Sequence, residues 1–171
     1  TGSGVYVLDR SSRREETGMT IPATEWGPLE LIRARRVVEG EIAALAAQNG
    51  KRPHIRSMAE AITAMKLDAD RNVAPLEGDR AFHAAVAQAC DNVVLLETVQ
   101  TFWDARRGPL FERLGEYFES PPSWLMAIAE HEEILAAIKA RDSALARSAM
   151  QSHMDKSHSR FSASWRRANA S

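Results

Sequence analysis

Apolar residues recur at three- and four-residue intervals through most of the chain, and the breaks in that rhythm divide it into helices. LELIRARRVVEGEIAALAAQ, with Pro28 suited to its first turn, is apolar at Leu31, Val38, Ile42, Leu45 and Ala46 and stops at Asn49-Gly50. A second helix is expected from about Pro53 to Arg71, carrying Ile55, Met58, Ile62 and Met65. A third, about Leu76 to Cys90, offers Ala81, Phe82, Ala85, Val86 and Ala89 to a core and ends at Asp91-Asn92. VVLLETVQTFWDARR predicts a fourth, interrupted at Gly108-Pro109, and LFERLGEYF continues it past a kink. After the break at SPPS, a fifth helix spans about Trp124 to Ala140, and Arg141-Asp142 turns tightly into a sixth reaching about Trp165. Short connections favour antiparallel neighbours, so the pattern predicts an all-α antiparallel bundle of six to seven helices.

The N-terminal end departs from this rhythm. Val5, Tyr6, Val7 and Leu8 after Gly-Ser-Gly read as a short strand leaving a tight turn, and residues 9–24 read as a polar linker. One strand cannot fold alone, so residues 1–8 are expected to be the remnant of another unit, with the helical domain covering 25–171. Alanine is abundant and β-branched residues are sparse, which agrees with helices. The single cysteine, Cys90, excludes an intramolecular disulfide and fits a reducing cytoplasm. No apolar run approaches the roughly 20 residues that span a bilayer, so no membrane partner is expected. A formal net charge of −1 gives the chain no global basic field for gripping nucleic acid.

Candidate chemistry comes from residues that interrupt the apolar faces. Asp79 and His83 sit four apart on one helix and so share a face: either a surface pair at helical spacing or half of a metal site. His131 lies eleven residues before Asp142 and His153 eleven after it, which sets both about 16 Å from the hairpin turn and at the same level. If the third helix packs on this hairpin, Asp79, His83, His131 and His153 form an Asp-His₃ site. Its donors suit zinc, and also nickel, manganese or iron, with room left for water or a small carboxylate. Arg35 stands four residues before Glu39, which reads either as a helix-surface salt bridge or as an inward anion clamp beside the metal. The four tryptophans read as core or interface, although Trp103 near Arg106 could line a sugar-sized cavity. His54 and His158 lack such partners and read as solvated. Glu130, Glu132 and Glu133 flank His131 but are expected to point away from the ligand face, so none is placed as the general base that a metal-dependent hydrolase or isomerase needs.

Three blocks, LIRARRVVEGEIAALAA, DRAFHAAVAQACDNVVL and EHEEILAAIKARDSALARSAMQSHM, resemble the FCD effector-binding domain of FadR-type GntR transcription regulators over about residues 25–160. The resemblance implies a bundle of six or seven helices binding a small organic acid in a central cavity over a metal. It assigns the ligands to Asp79, His83, His131 and His153 and an effector contact to Arg35. It also implies a homodimer, operator DNA bound through an N-terminal domain of which GSGVYV resembles the last wing strand, and no enzymatic activity. TFWDARRGPLFERL resembles the hexuronate-responsive branch, which places Trp103 and Arg106 beside a uronate.

Overall fold

The computed structural model describes residues 21–106, 111 and 120–168, with side chains up to 163. The expected strand at 1–8, most of the linker and all of LFERLGEYF except Phe111 lie outside the described residues. Among the described residues, a 3₁₀ turn, Ala23–Glu25, precedes the α-helices α1 Pro28–Asn49, α2 Arg52–Asp70, α3 Leu76–Ala89, α4 Val93–Ala105, α5 Pro121–Lys139 and α6 Ser143–Ala168. The all-α bundle is therefore as expected. Helix α5 begins three residues earlier than its apolar pattern suggests, because Pro121 occupies the first turn and Ser120 caps it by accepting from Ser123 N at 3.4 Å.

The α1–α2, α2–α3, α3–α4 and α5–α6 connections are short and locally encoded. Asn92 accepts from the amides of Val94 and Leu95 at 3.0 and 3.2 Å and starts α4, while Asp142 accepts from Leu145 N at 2.9 Å and starts α6. Asn72, Asp91 and Arg141 each take a left-handed φ of about 60° where a helix ends. Arg141 is an unusual occupant of that region, and its guanidinium reaches across to accept no bond but to donate two, to the carbonyls of Gln48 at 2.9 Å and Ala47 at 3.3 Å. It thus satisfies the C-terminal end of α1 while turning the α5–α6 hairpin.

Helix α1 runs along α6, α2 pairs with α3, and α5 packs on both α6 and α2, so α3 faces the α5–α6 hairpin across the bundle. The core joins Ile42, Ala46, Met58, Met65, Phe82, Val86, Ile134, Ile138, Met150 and Met154. Ala81, expected inside, is exposed, and the buried face of α3 turns on Gly78, Phe82 and Ala85 instead. Gly78 fixes the approach of α3 to α2. A Cβ there would lie 2.6 Å from Met65 Cγ and 3.1 Å from the Ala61 carbonyl oxygen, so only glycine lets the helices meet this closely. That contact sets the height of Asp79, the next residue.

Candidate metal centre

Asp79, His83, His131 and His153 converge in the middle of the bundle, with one ligand atom from each lying within 4.8 Å of every other. The three histidines are buried, and Asp79 is one-fifth exposed. Helix α3 brings the first two on successive turns, and the α5–α6 hairpin brings the others level, with ring centroids 4.5 Å apart. Three of the ligand atoms form a nearly equilateral triangle. Asp79 Oδ1 is 3.3 Å from His83 Nε2 and 3.3 Å from His131 Nε2, and the two nitrogens are 3.2 Å apart. Ligand atoms at about 2.0–2.1 Å from a tetrahedral ion stand about 3.3 Å apart, so this triangle has the size of one face of such a shell. Among the described residues Asp79 Oδ1 also has no hydrogen-bond partner although it is buried, as expected of an oxygen whose partner is a cation. The residues present fit a divalent metal.

The backs of two rings are held. His83 Nδ1 meets Glu39 Oε2 from α1, and His153 Nδ1 meets Glu130 Oε2 at 2.7 Å, which leaves Nε2 of each ring for the site. His131 Nδ1 has no hydrogen-bond partner. Burial would raise both glutamates, but Arg35 and His83 bring Glu39 down to about 2, and His153 and Arg160 bring Glu130 to about 2. Burial likewise raises Asp79, yet the neighbouring His131 and His83 hold it well below the usual carboxylate range. Burial lowers His131, and burial with the nearby His131 lowers His153 to about 3. For His83, burial is outweighed by Glu39 and Asp79, and its pKa is raised. Neutral rings at His131 and His153 present lone pairs without first losing a proton.

A cavity of about 70 Å³ adjoins the four residues, lined among others by Arg35, Asp79, Arg106, His131, His153 and Arg160. Arg35 does form its pair with Glu39, at 2.6 Å, but the pair is inside the bundle, with side chains 5% and 2% exposed. The pair that the spacing predicts is thus formed, but in the interior rather than on the helix surface, and Arg35 also lines the cavity. Arg106 Nη1 reaches Asp79 Oδ2 at 3.4 Å. Trp103 is buried but is not among the lining residues; the Arg35 and Arg106 guanidinium carbons lie 4.8 and 4.2 Å from its ring centroid, so it supports the two arginines from outside the cavity.

Glu130 corrects an expectation. It does not point away from the site: α5 is covered on two sides, so residues 130 and 131, although they face different directions, are both buried, while Glu132 and Glu133 are exposed. His54 and His158 are not fully solvated either. His54 Nδ1 accepts from Lys51 N at 3.2 Å at the start of α2, and His158 is half-buried between α1 and α6 beside Ser162. Glu39, Glu130 and Arg160 are the site residues that sequence reasoning did not select.

An all-α bundle with a buried Asp-His₃ group and an arginine-lined cavity has clear relatives. A profile of the FCD domain matches residues 30–156, and the chain belongs to that family. It is similar to the Uxu operon transcriptional regulator of Escherichia coli (strain K12), 30% identical over 158 residues that cover 90% of this chain and 62% of the relative. The Exu regulon transcriptional regulator of the same strain is 30% identical over 159 residues, covering 90% of this chain and 59% of the relative. The chain therefore spans about three-fifths of the length of these curated relatives. The solved structure of E. coli McbR/YncC superposes with a TM-score of 0.70 at 22% identity, covering 80% of this chain and 64% of that one, and supports the fold. Among the described residues, no helix is long and apolar enough to cross a membrane.

Proposed function

We propose that this domain is the ligand-sensing part of a GntR-type transcription regulator of the FadR group, binding a small organic acid, in first place a hexuronate, over a divalent ion held by Asp79, His83, His131 and His153. The observation that carries this reading is the ligand triangle beside a cavity into which cations converge. Zinc suits the one-oxygen, three-nitrogen donor set and the spacing of about 3.3 Å. Bound there, the ion would supply a fixed positive charge and, at a coordination number of five or six, open positions for anionic oxygen ligands.

The protein's own groups do the rest. Arg35 keeps Glu39 with Nε, while its Nη2 is buried with no hydrogen-bond partner among the described residues, a donor held in readiness for a carboxylate. Arg106, one-sixth exposed, sits over Trp103 and against Asp79 and so reaches both the site and the cavity mouth. The cavity of about 70 Å³ is lined by Arg35 from α1, Asp79 from α3 and His131 and His153 from the α5–α6 hairpin. An effector bound there ties α1, α3 and the α5–α6 hairpin together. In a homodimer it would shift paired winged helix-turn-helix domains relative to palindromic operator half-sites. The similarity to regulators of the Uxu operon and Exu regulon supports a uronate over other sugar acids. A sensor in contact with operator DNA works in the cytoplasm. The enzymatic alternative lacks a free base, since Glu39 and Glu130 are both engaged behind the rings.

Calorimetric titration of D-glucuronate and D-galacturonate into zinc-loaded and chelator-treated protein tests the reading. Saturable heat with the loaded protein alone is expected; binding of equal strength without metal, or none with it, would contradict the role of the site.

A further inference from the structure

His83 and His153 are held from behind in the same way, and each holding carboxylate is shared with an arginine. Glu39 joins His83 Nδ1 to Arg35 Nε; Glu130 joins His153 Nδ1 at 2.7 Å to both terminal nitrogens of Arg160 at 2.8 and 3.0 Å. The two assemblies differ in access. Arg35 is 5% exposed, Arg160 21%. Arg160 lines the inner cavity together with His153, and with Glu130 it also lines an outer groove of about 730 Å³, whose other charged residues are Lys156, Glu133 and Arg36, the last paired with Asp155 at 2.7 Å. The Arg160–Glu130 pair is thus the partition between groove and cavity.

They differ in bonding too. Arg35 can offer Nη2 to an anion without leaving Glu39, whereas both terminal nitrogens of Arg160 are engaged on Glu130. An anion that takes the Arg160 fork therefore replaces Glu130 there, one carboxylate for another. Resting on the metal reading above, we infer that Glu130 is a positioning residue that couples anion capture by Arg160 to the grip of His153 on the metal. Divided between guanidinium and imidazole, Glu130 orients His153 with part of its bonding capacity. Relieved of Arg160, it turns wholly to Nδ1 and fixes the ring with Nε2 toward the site. Lys156 Nζ, half-exposed and 4.0 Å from Glu130 Oε1, is too distant to take over the fork. Metal and anion then bind with positive linkage, each strengthening the other.

The test uses zinc alone, by competition with a chromophoric chelator, on wild type, Glu130→Gln and Arg160→Gln, with Co²⁺ absorption spectra to check that the coordination is kept. Glu130→Gln weakens zinc about tenfold or more. Arg160→Gln, which mimics capture of the arginine, strengthens it about fivefold with an unchanged cobalt spectrum. A pair that is merely structural gives the same sign in both variants. Zinc affinity unchanged or weakened in Arg160→Gln, or unchanged in Glu130→Gln, overturns the coupling while leaving the metal site standing. Wild type that takes up no zinc overturns the metal reading and the coupling with it. If Glu130→Gln does not fold, the sign in Arg160→Gln decides alone.

Discussion

Arg35–Glu39–His83 and Arg160–Glu130–His153 are one chemical chain built twice, on opposite sides of the same site. The first joins α1 to α3 with every member buried; the second joins α5 to α6 and ends in an arginine one-fifth exposed. Identical groups therefore carry different energies. A buried pair broken by removing one partner leaves a charge with nowhere to go, whereas a pair at a groove recovers water. The α1–α3 side is built as a fixed wall, and the α5–α6 side as the part able to exchange partners.

The largest expected contrast follows from that difference. Arg35→Ala strands Glu39 in the core and costs about 3–5 kcal/mol in urea unfolding of the metal-free protein. Arg160→Ala costs about 1 kcal/mol or less. Equal losses at the two positions would break the comparison. Next in size is the metal, whose ligands come from both sides. Zinc at about a hundredfold excess over its dissociation constant adds about 2.7 kcal/mol, and a chelator removes it, lowering Tm. Absence of any Tm change on adding chelator to zinc-loaded protein would count against a shared ion.

The glycines sharpen the contrast further. A Cβ at Gly78 meets Met65 Cγ at 2.6 Å with the Ala61 carbonyl behind it, so Gly78→Ala costs about 1–2 kcal/mol and loosens zinc by displacing Asp79. At Gly40 the obstruction is the Gln151 side chain, with Cγ at 2.9 Å and Nε2 at 3.1 Å, which can swing aside. Gly40→Ala is then offset by a helix-propensity gain of about 0.8 kcal/mol and comes out near neutral. Thermal melts of the two variants read the difference.

The two sides also differ in pH dependence, and there the difference is one of sign. His153 is lowered from 6.5 to about 3, so the unfolded chain binds the proton first and metal-free protein loses this contribution as pH falls below 6.5 toward 3. His83 is raised above 6.5, so its contribution is full below 6.5 and is lost as pH rises through its folded value. His153→Gln should flatten the acid side of the stability profile, and His83→Gln should remove stability near pH 6. Parallel profiles for the two variants would show that the rings share one environment.

Much of this site is legible in the sequence because it follows helical arithmetic. Asp79 and His83 are one turn apart, and His131 and His153 are equidistant from a turn that Asp142 caps. The start of α4 at Val93 was legible, whereas that of α5 was placed three residues late because Ser120 and Pro121, which cap and open it, read as a break. Glu39, Glu130 and Arg160 were missed, although each continues an apolar row: Ile32, Arg35, Glu39, Ile42 and Ala46; Ala127, Glu130, Ile134 and Ala137; Ala146, Met150, His153, Ser157 and Arg160. A charge at a core-spaced position signals a buried network. What a single helix pattern does not reveal is that α5 is covered on two sides, which is why Glu130 is buried next to His131. Trp103 was legible as buried, but its place behind Arg35 and Arg106, outside the cavity lining, depends on how α4 meets α1, which no local spacing encodes.

The most direct measurement of the central claim is elemental analysis of the purified protein beside a His83→Ala variant, each after incubation with zinc and dialysis. The account expects about one ion per wild-type chain and a near-complete loss in the variant, with helical content retained. No ion in the wild type, or an equal amount in both proteins, would contradict it: Asp79, His83, His131 and His153 would then be a hydrogen-bonded cluster, and any effector would be held by the arginines alone.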